Sequence, residues 1–405
     1  MSPRERLARA GLYAGGYLGP FGGGVIAVLI PELRHAYGAS TGEVTAGITA
    51  YLVPFAALQI VSGTLGERFG MKRTVRVAFI AYAIASVVVA ITTTVPAFLA
   101  ARGLQGAANA FTTPLLLAAV AESTPERELG RAMGTFAAVQ TAGIVSAPLF
   151  GGLAGGVDFR LAFLAPAAVA LLLAAAPLPE GVERRHVDPP RLRSALTRRA
   201  GWTACAAFTA YLTLTGLGFL VALRAADSFG LSPTARGLLL AGFGAAGVLA
   251  GRPAGDLVDR LGPAPVIGLG TVLALVIVPP LGVVQATAAL AALWFAAGAA
   301  SQLIWAGLNT LTVRSAPANR AGAVSLIGAF KFAGNAIAPL VLLPLYDTRE
   351  WLPFAAAAAC TALIYVCAVR ADVAGATARR RRRSARTQGG GDGGSIAPTE
   401  DAASR

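Results

Sequence analysis

Two cations, Arg102 and Lys331, stand inside long apolar runs of this chain and are the residues best placed to do chemistry. A charged side chain at the middle of an apolar helix costs about 2.5–3.5 kcal/mol on insertion scales, so it turns toward a partner or a wet cavity. Arg102, Gln105 and Asn109 are spaced i, i+3, i+7 and share one helix face. The other reading of Arg102 has its guanidinium satisfied by backbone carbonyls of the first span. Lys331 lies half-way along its run, with Asn335 one turn further on the same face; its alternative is to snorkel to an interface. Tyr17, which shares helical spacing with Tyr13 and Phe21, and Tyr211, Trp305 and Asn309 are further candidate linings of a central cavity. Such a set supports reversible binding of a small molecule through charge, amide and ring contacts.

Covalent and metal chemistry find little to work with. Cys205, Cys360 and Cys367 fall inside apolar segments, and His35 and His186 fall in expected loops. These make neither a metal-spaced set nor a disulfide framework. The expectation is therefore no enzyme, no metal and no cofactor. The formal charge of +14 invites nucleic acid as a partner, but the arginines sit in short loops and a tail and form no basic helix face.

The chain that carries these residues is 55% hydrophobic and only 13% charged, with a mean hydropathy of +0.64. Soluble domains carry roughly 25% charged residues, so the solvent for most of this chain is lipid. A bilayer core of ~30 Å needs about 20 apolar helical residues. On that measure the sequence predicts spans at 11–31, 44–65, 74–94, 97–121, 131–154, 160–178, 201–223, 235–257, 264–284, 287–312, 322–346 and 351–370. Spans 3, 6, 9 and 12 are almost purely aliphatic, as lipid-facing helices should be. The expected fold is an all-α membrane protein: residues 1–10 as an N-terminal segment, a six-helix bundle over 11–178, a linker over 179–200, a second six-helix bundle over 201–370 and a disordered tail over 371–405. Its run Arg379–Arg383 could lie on anionic headgroups, or serve as a stop-transfer flank. With both termini on the same face, 27 basic residues fall on that face and 5 on the other. The positive-inside rule then makes both termini cytoplasmic.

The two blocks resemble each other. At a shift of 192, Gly63, Leu65, Glu67, Arg68 and Gly70 meet Gly255, Leu257, Asp259, Arg260 and Gly262. At 191, Ala142-Gly143 meets Ala333-Gly334, Ala147-Pro148-Leu149 meets Ala338-Pro339-Leu340, and Lys331 meets Gln140. Parallel repeats of this kind place a binding site between the halves, near the midplane.

The stretch Gly63-x-Leu65-x-Glu67-Arg68-x-Gly70-Met71-Lys72-Arg73 resembles the loop signature of the major facilitator superfamily, with Glu in place of Asp and Met71 in place of Arg. Arg102-x-x-Gln105-Gly106 resembles that family's span-4 signature, and Gly143-x-x-x-Ala147-Pro148-x-x-Gly151-Gly152 its antiporter signature, with Ala147 for a Gly. The resemblance covers residues 11–370. It implies a gate: Gly63 permits close helix approach, Glu67 faces the start of span 11, and Arg68 or Arg73 pairs with Glu122, with Asp259 and Arg260 as the second-half equivalents. It associates Arg102 with proton coupling. It implies that Gly143, Pro148, Gly151 and Gly152 bend span 5 against span 8, a motif that marks the family's exporters more than its importers. The expectation is a monomeric, bacterial, proton-coupled exporter in the cytoplasmic membrane, with Lys331, Gln140, Asn335 and Asn109 contacting a neutral or anionic solute. An importer of an anionic metabolite, and a receptor or scaffold that does not transport, are the alternatives.

Overall fold

The computed structural model describes residues 3–125, 128–177, 196–316 and 320–388. Every regular element among them is helical. By length and composition, eleven helical stretches can cross a bilayer; the helix Leu161–Ala175, with 15 residues, is shorter and takes the sixth place. In lipid each backbone amide and carbonyl must be satisfied within the chain, and helices do this segment by segment.

Span 1 runs from Pro3 to Gly24, tightens into a 3₁₀ turn at Val25–Leu29, and continues as Ile30–Tyr37. Span 7 breaks in the same way: Arg198–Thr213, a 3₁₀ turn at Thr215–Leu217, then Gly218–Asp227. Span 2 is Thr41–Phe69 and span 3 is Met71–Ile91. The start of span 2 is written locally, because Ser40 and Glu43 form a reciprocal capping box. Span 4 is interrupted: Val95–Asn109 gives way to a turn, and the helix resumes at Thr113–Ser123. Pro114, in the first turn of the second piece, has no amide hydrogen to continue the ladder, which the unbroken span expected at 97–121 overlooked. Span 5 is Leu129–Gly155, span 8 is Pro233–Leu261, and span 9 is Pro263–Ile277. Spans 10, 11 and 12 are Thr287–Ser315, Arg320–Thr348 and Leu352–Gln388.

The last of these corrects the expected tail, since helix continues to Gln388 where disorder was expected from 371. Ala and Arg are good helix formers, and the segment meets no Pro, and no Gly between Gly375 and Gly389. The proposed headgroup contact of Arg379–Arg383 concerns side chains outside the described residues, as do 389–405 and most of the expected linker.

The pseudo-symmetry shows in the backbone. Among the described residues the glycines with positive φ are Gly38 (57°), Gly70 (85°), Gly230 (61°) and Gly262 (86°). They form two pairs at the shift of 192, each closing the same span of its half in a conformation that favours glycine. Close approaches repeat as well. A methyl group on Gly106 would collide with the Tyr51 carbonyl, and one on Gly298 with that of Phe243; Gly143 and Gly334 meet the carbonyls of Tyr17 and Phe208. Each pair joins equivalent helices of the two bundles.

The bundles meet along two seams, span 2 against span 11 and span 5 against span 8. Spans 3, 6, 9 and 12 lie outside and present large aliphatic side chains, among them Ile84, Leu172, Val276 and Leu363, to the surroundings. Exposed side chains of this kind suit hydrocarbon rather than water.

Candidate functional site

Named contacts close both seams at one end. At the Gly38/Gly230 end, Gly152 of span 5 abuts Pro233 and Gly237 of span 8, and the Thr234 hydroxyl donates to the Gly152 carbonyl. Thr49 of span 2 donates to the Ala336 carbonyl of span 11, at 2.6 Å. Arg236, 2% exposed at the start of span 8, pairs with Glu32 near the end of span 1. Its Nε and Nη1 have no other partner, and neither does Oε2 of Glu32. This latch joins the two bundles. Arg224, in contrast, pairs with Glu350 and donates to the Val284 carbonyl within its own bundle.

At the other end lie the residues expected to form the gate. Arg68, Arg73, Asp259 and Arg260 are exposed and make no ion pair among the described residues. The expected pairing of Arg68 or Arg73 with Glu122, which is exposed at the end of span 4, is thus not formed in this conformation. Gly63 and Glu67 lie on the span-2 helix; their side-chain surroundings fall outside the described residues.

Between the bundles lies a cavity of about 160 Å³. Both halves line it: Gly24, Ile48 and Pro148 from one, Phe243, Trp294 and Asn335 from the other. Span 5 reaches it as a wedge. Gly143 and Gly151 rest on span 1 and Gly152 on span 8, so the small-residue motif packs against two neighbours rather than one. Tyr17 hydrogen-bonds Ser146 of span 5.

One turn from Asn335, Lys331 stands among rings. Its Nζ lies 4.9 Å from the centroid of Tyr211 (span 7), 5.1 Å from Trp305 (span 10) and 4.5 Å from Phe332. The Tyr211 ring meets Trp305 and Phe332 at 76° and 79°. Phe55, from span 2 of the other bundle, meets Phe332 at 90° and 4.7 Å. No carboxylate pairs with Lys331 among the described residues. Lysine over ring faces within ~6 Å gains about 0.5–1 kcal/mol where exposed and about 2 where desolvated. Lys331, Tyr211 and Trp305 were legible as candidates. Phe332 and Phe55 were not, because neither shares the Lys331 helix face in sequence. Gln140 is half-buried without a hydrogen bond among the described residues, and Asn309 is exposed one turn beyond Trp305.

Arg102 and Asn109 sit elsewhere, and this corrects the expectation that both face a wet chamber. Arg102 is 0% exposed inside the first bundle. Its Nε donates to the Gly47 carbonyl (3.3 Å), and its Nη1 to the Gly22 carbonyl (3.4 Å) and Gln105 Oε1 (2.8 Å). The guanidinium lies 4.4 Å from the Tyr51 ring centroid. Asn109 donates to the Gly19 carbonyl and the Tyr51 hydroxyl, and accepts from Thr112. These partners come from spans 1 and 2, so the shared helix face of span 4 is an internal clamp. Tyr51→Phe keeps the ring beneath Arg102 but removes the acceptor for Asn109. The expected cost is about 1 kcal/mol, read as a lowered unfolding temperature in detergent; an unchanged temperature would count against the clamp.

Two similar bundles of membrane-crossing helices thus line one cavity between them, the architecture of a membrane transporter. The chain belongs to the Major Facilitator Superfamily, whose sequence profile matches residues 12–204 and 203–398. Among curated proteins it is similar to the drug efflux pump JefA of Mycobacterium tuberculosis (27% identity, 40% of this chain, 33% of that protein). It is also similar to the tetracenomycin C resistance and export protein of Streptomyces glaucescens (30%, covering 32% and 24%) and to a probable actinorhodin transporter of Streptomyces coelicolor (31%, covering 39% and 29%). The matched stretch thus spans a third or less of these relatives' length. Among solved structures, a bacterial homolog of the human lysosomal transporter Spinster, inward-facing and unoccupied, superposes with a TM-score of 0.74 at 18% identity, covering 93% of this chain and 98% of that one. This last likeness concerns the fold.

Proposed function

We propose that the protein exports a small neutral or anionic organic compound across a bacterial cytoplasmic membrane, as a monomer, in exchange for protons. The observation that carries the reading is the Lys331 nest at the inter-bundle seam, a cation among aromatic rings with no carboxylate beside it. Rings accept the flat apolar part of a solute, and the ammonium accepts or tolerates its negative group. Export rather than import is supported by the Gly143–Gly152 wedge on spans 1 and 8, and by the export named for the Mycobacterium and Streptomyces relatives. The excess of basic residues on the face that carries both termini supports a cytoplasmic placing of that face.

Coupling divides between two places. An arginine does not give up its proton, so Arg102 acts by holding spans 1, 2 and 4 together. Glu32, at the latch, ties span 1 to the start of span 8, so opening of that face has to part it from Arg236.

A strain without its own pumps that carries this chain is expected to survive neutral or anionic organic compounds, and to lose that protection when the proton gradient is collapsed. Equal accumulation of every compound with and without the chain would end the export reading. Protection that outlasts gradient collapse would end the coupling.

A further inference from the structure

We propose that Lys331 fills, with its own ammonium group, an aromatic cage able to accept a quaternary ammonium ion, and so sets which charge class of solute the protein takes. The inference rests on the reading of this seam as the solute site, and deepens it.

The walls come from three helices. Tyr211, Trp305 and Phe332 surround one nitrogen at 4.5–5.1 Å, with ring planes turned steeply against one another. Aromatic cages that recognise quaternary ammonium ligands work through the same attraction of a cation to ring faces. Phe55 of the opposite bundle stands edge-on to Phe332, so the cage lies where the halves move against each other. An intramembrane lysine generally finds a carboxylate or a carbonyl. This one makes no hydrogen bond and no ion pair among the described residues, and ring faces alone answer its charge.

A tethered ammonium competes at the high effective concentration of an intramolecular ligand, and it repels any second cation that approaches. The wild-type cage is therefore closed to cations, while the outer ring surfaces remain open to neutral or anionic aromatic solutes. Truncation at Cβ leaves the walls and removes the occupant.

Binding of benzyltriethylammonium to purified protein in detergent, measured by calorimetry, tests this without any transport step. The expected result is no saturable binding to wild type at millimolar probe, and at least a tenfold gain in affinity for Lys331→Ala. The gain should vanish again in Lys331→Ala combined with Trp305→Ala. Equal affinity of wild type and Lys331→Ala, or a gain that survives loss of Trp305, overturns the proposal.

A second measurement uses the folded wild type. Lys72 and Lys331 are the only lysines of the chain, so reductive ¹³C-methylation labels two side chains and the amino terminus. Ring currents should move the Lys331 methyl signal upfield of that of Lys72, and Trp305→Ala should move it back. Coincident lysine signals overturn the proposal. If the cation binds Lys331→Ala as expected while the compound panel shows no export, the cage stands and the export reading falls. The reverse pattern sinks the cage alone.

Discussion

Glu32→Ala is expected to shift the protein toward opening on the latch face by about a hundredfold or more. Arg236 is buried, and Glu32 is the partner its guanidinium has in this conformation. Removing one member of a buried ion pair costs about 3–5 kcal/mol, because the remaining charge is left desolvated. Each 1.4 kcal/mol is a factor of ten. That energy falls on the latched conformation, since opening the seam lets water reach Arg236. Other charges surround the latch: Arg34 on span 1, Asp227 and Arg224 on span 7, and Glu350 before span 12. Asp227 feels Arg34, Arg236 and Glu350, so neutralisation of Glu32 leaves an acid nearby that can moderate the effect. Spin labels at Val157→Cys and Gln285→Cys, on the two bundles at this end, should report a longer distance in Glu32→Ala than in the parent. Glu350→Ala is the control. Its partner Arg224 lies in the same bundle and keeps the Val284 carbonyl, so stability should fall while the distance stays. Unchanged distances in Glu32→Ala would show that the latch does not hold this face.

Gly106→Val and Gly298→Val are expected to abolish recovery of folded, monodisperse protein. Overpacking generally costs about 1–3 kcal/mol and occasionally more. Here the obstacle is the backbone of span 2 or span 8, carbonyls of Tyr51 and Phe243 that cannot turn away as a side chain can. The expected cost is therefore at or above the top of that range. Lipid offers no hydrophobic drive to reassemble helices pushed apart, because association there depends on close packing of small residues. Gly255→Ala is the contrast. A methyl group there meets nothing, and removing a helical glycine stabilises by roughly 0.5–1 kcal/mol. Size-exclusion profiles after heating would rank the three. Normal recovery of either valine variant would mean that the helices separate there at small cost.

Much of the architecture was legible in the chain. The spans, the duplication and the outer position of the aliphatic helices follow from apolar length and from matches at a constant offset. The offset reappears as paired left-handed glycines. Boundaries were less legible where local chemistry competes with hydropathy. Span 4 breaks before Pro114, and span 12 runs on through the Ala/Arg-rich segment to Gln388.

The candidate site divided differently. Lys331, Tyr211 and Trp305, named separately as candidate linings, lie together. Arg102 and Asn109 do not join them, because a helix face says which residues point the same way and not whether that way leads to a cavity or to a neighbouring helix. Glu32 and Arg236 read as ordinary span ends, although the scarcity of charge on that face was a signal that the few present would find each other.

By itself the sequence determined that the chain is membrane-spanning and duplicated, because solvent preference and repetition are properties of composition and order along the chain. Only the tertiary structure decided which polar side chains are clamped within one bundle, which latch the two together and which are caged by rings. Those outcomes depend on the rotation and depth of each helix against its neighbours, and packing across the seams sets these.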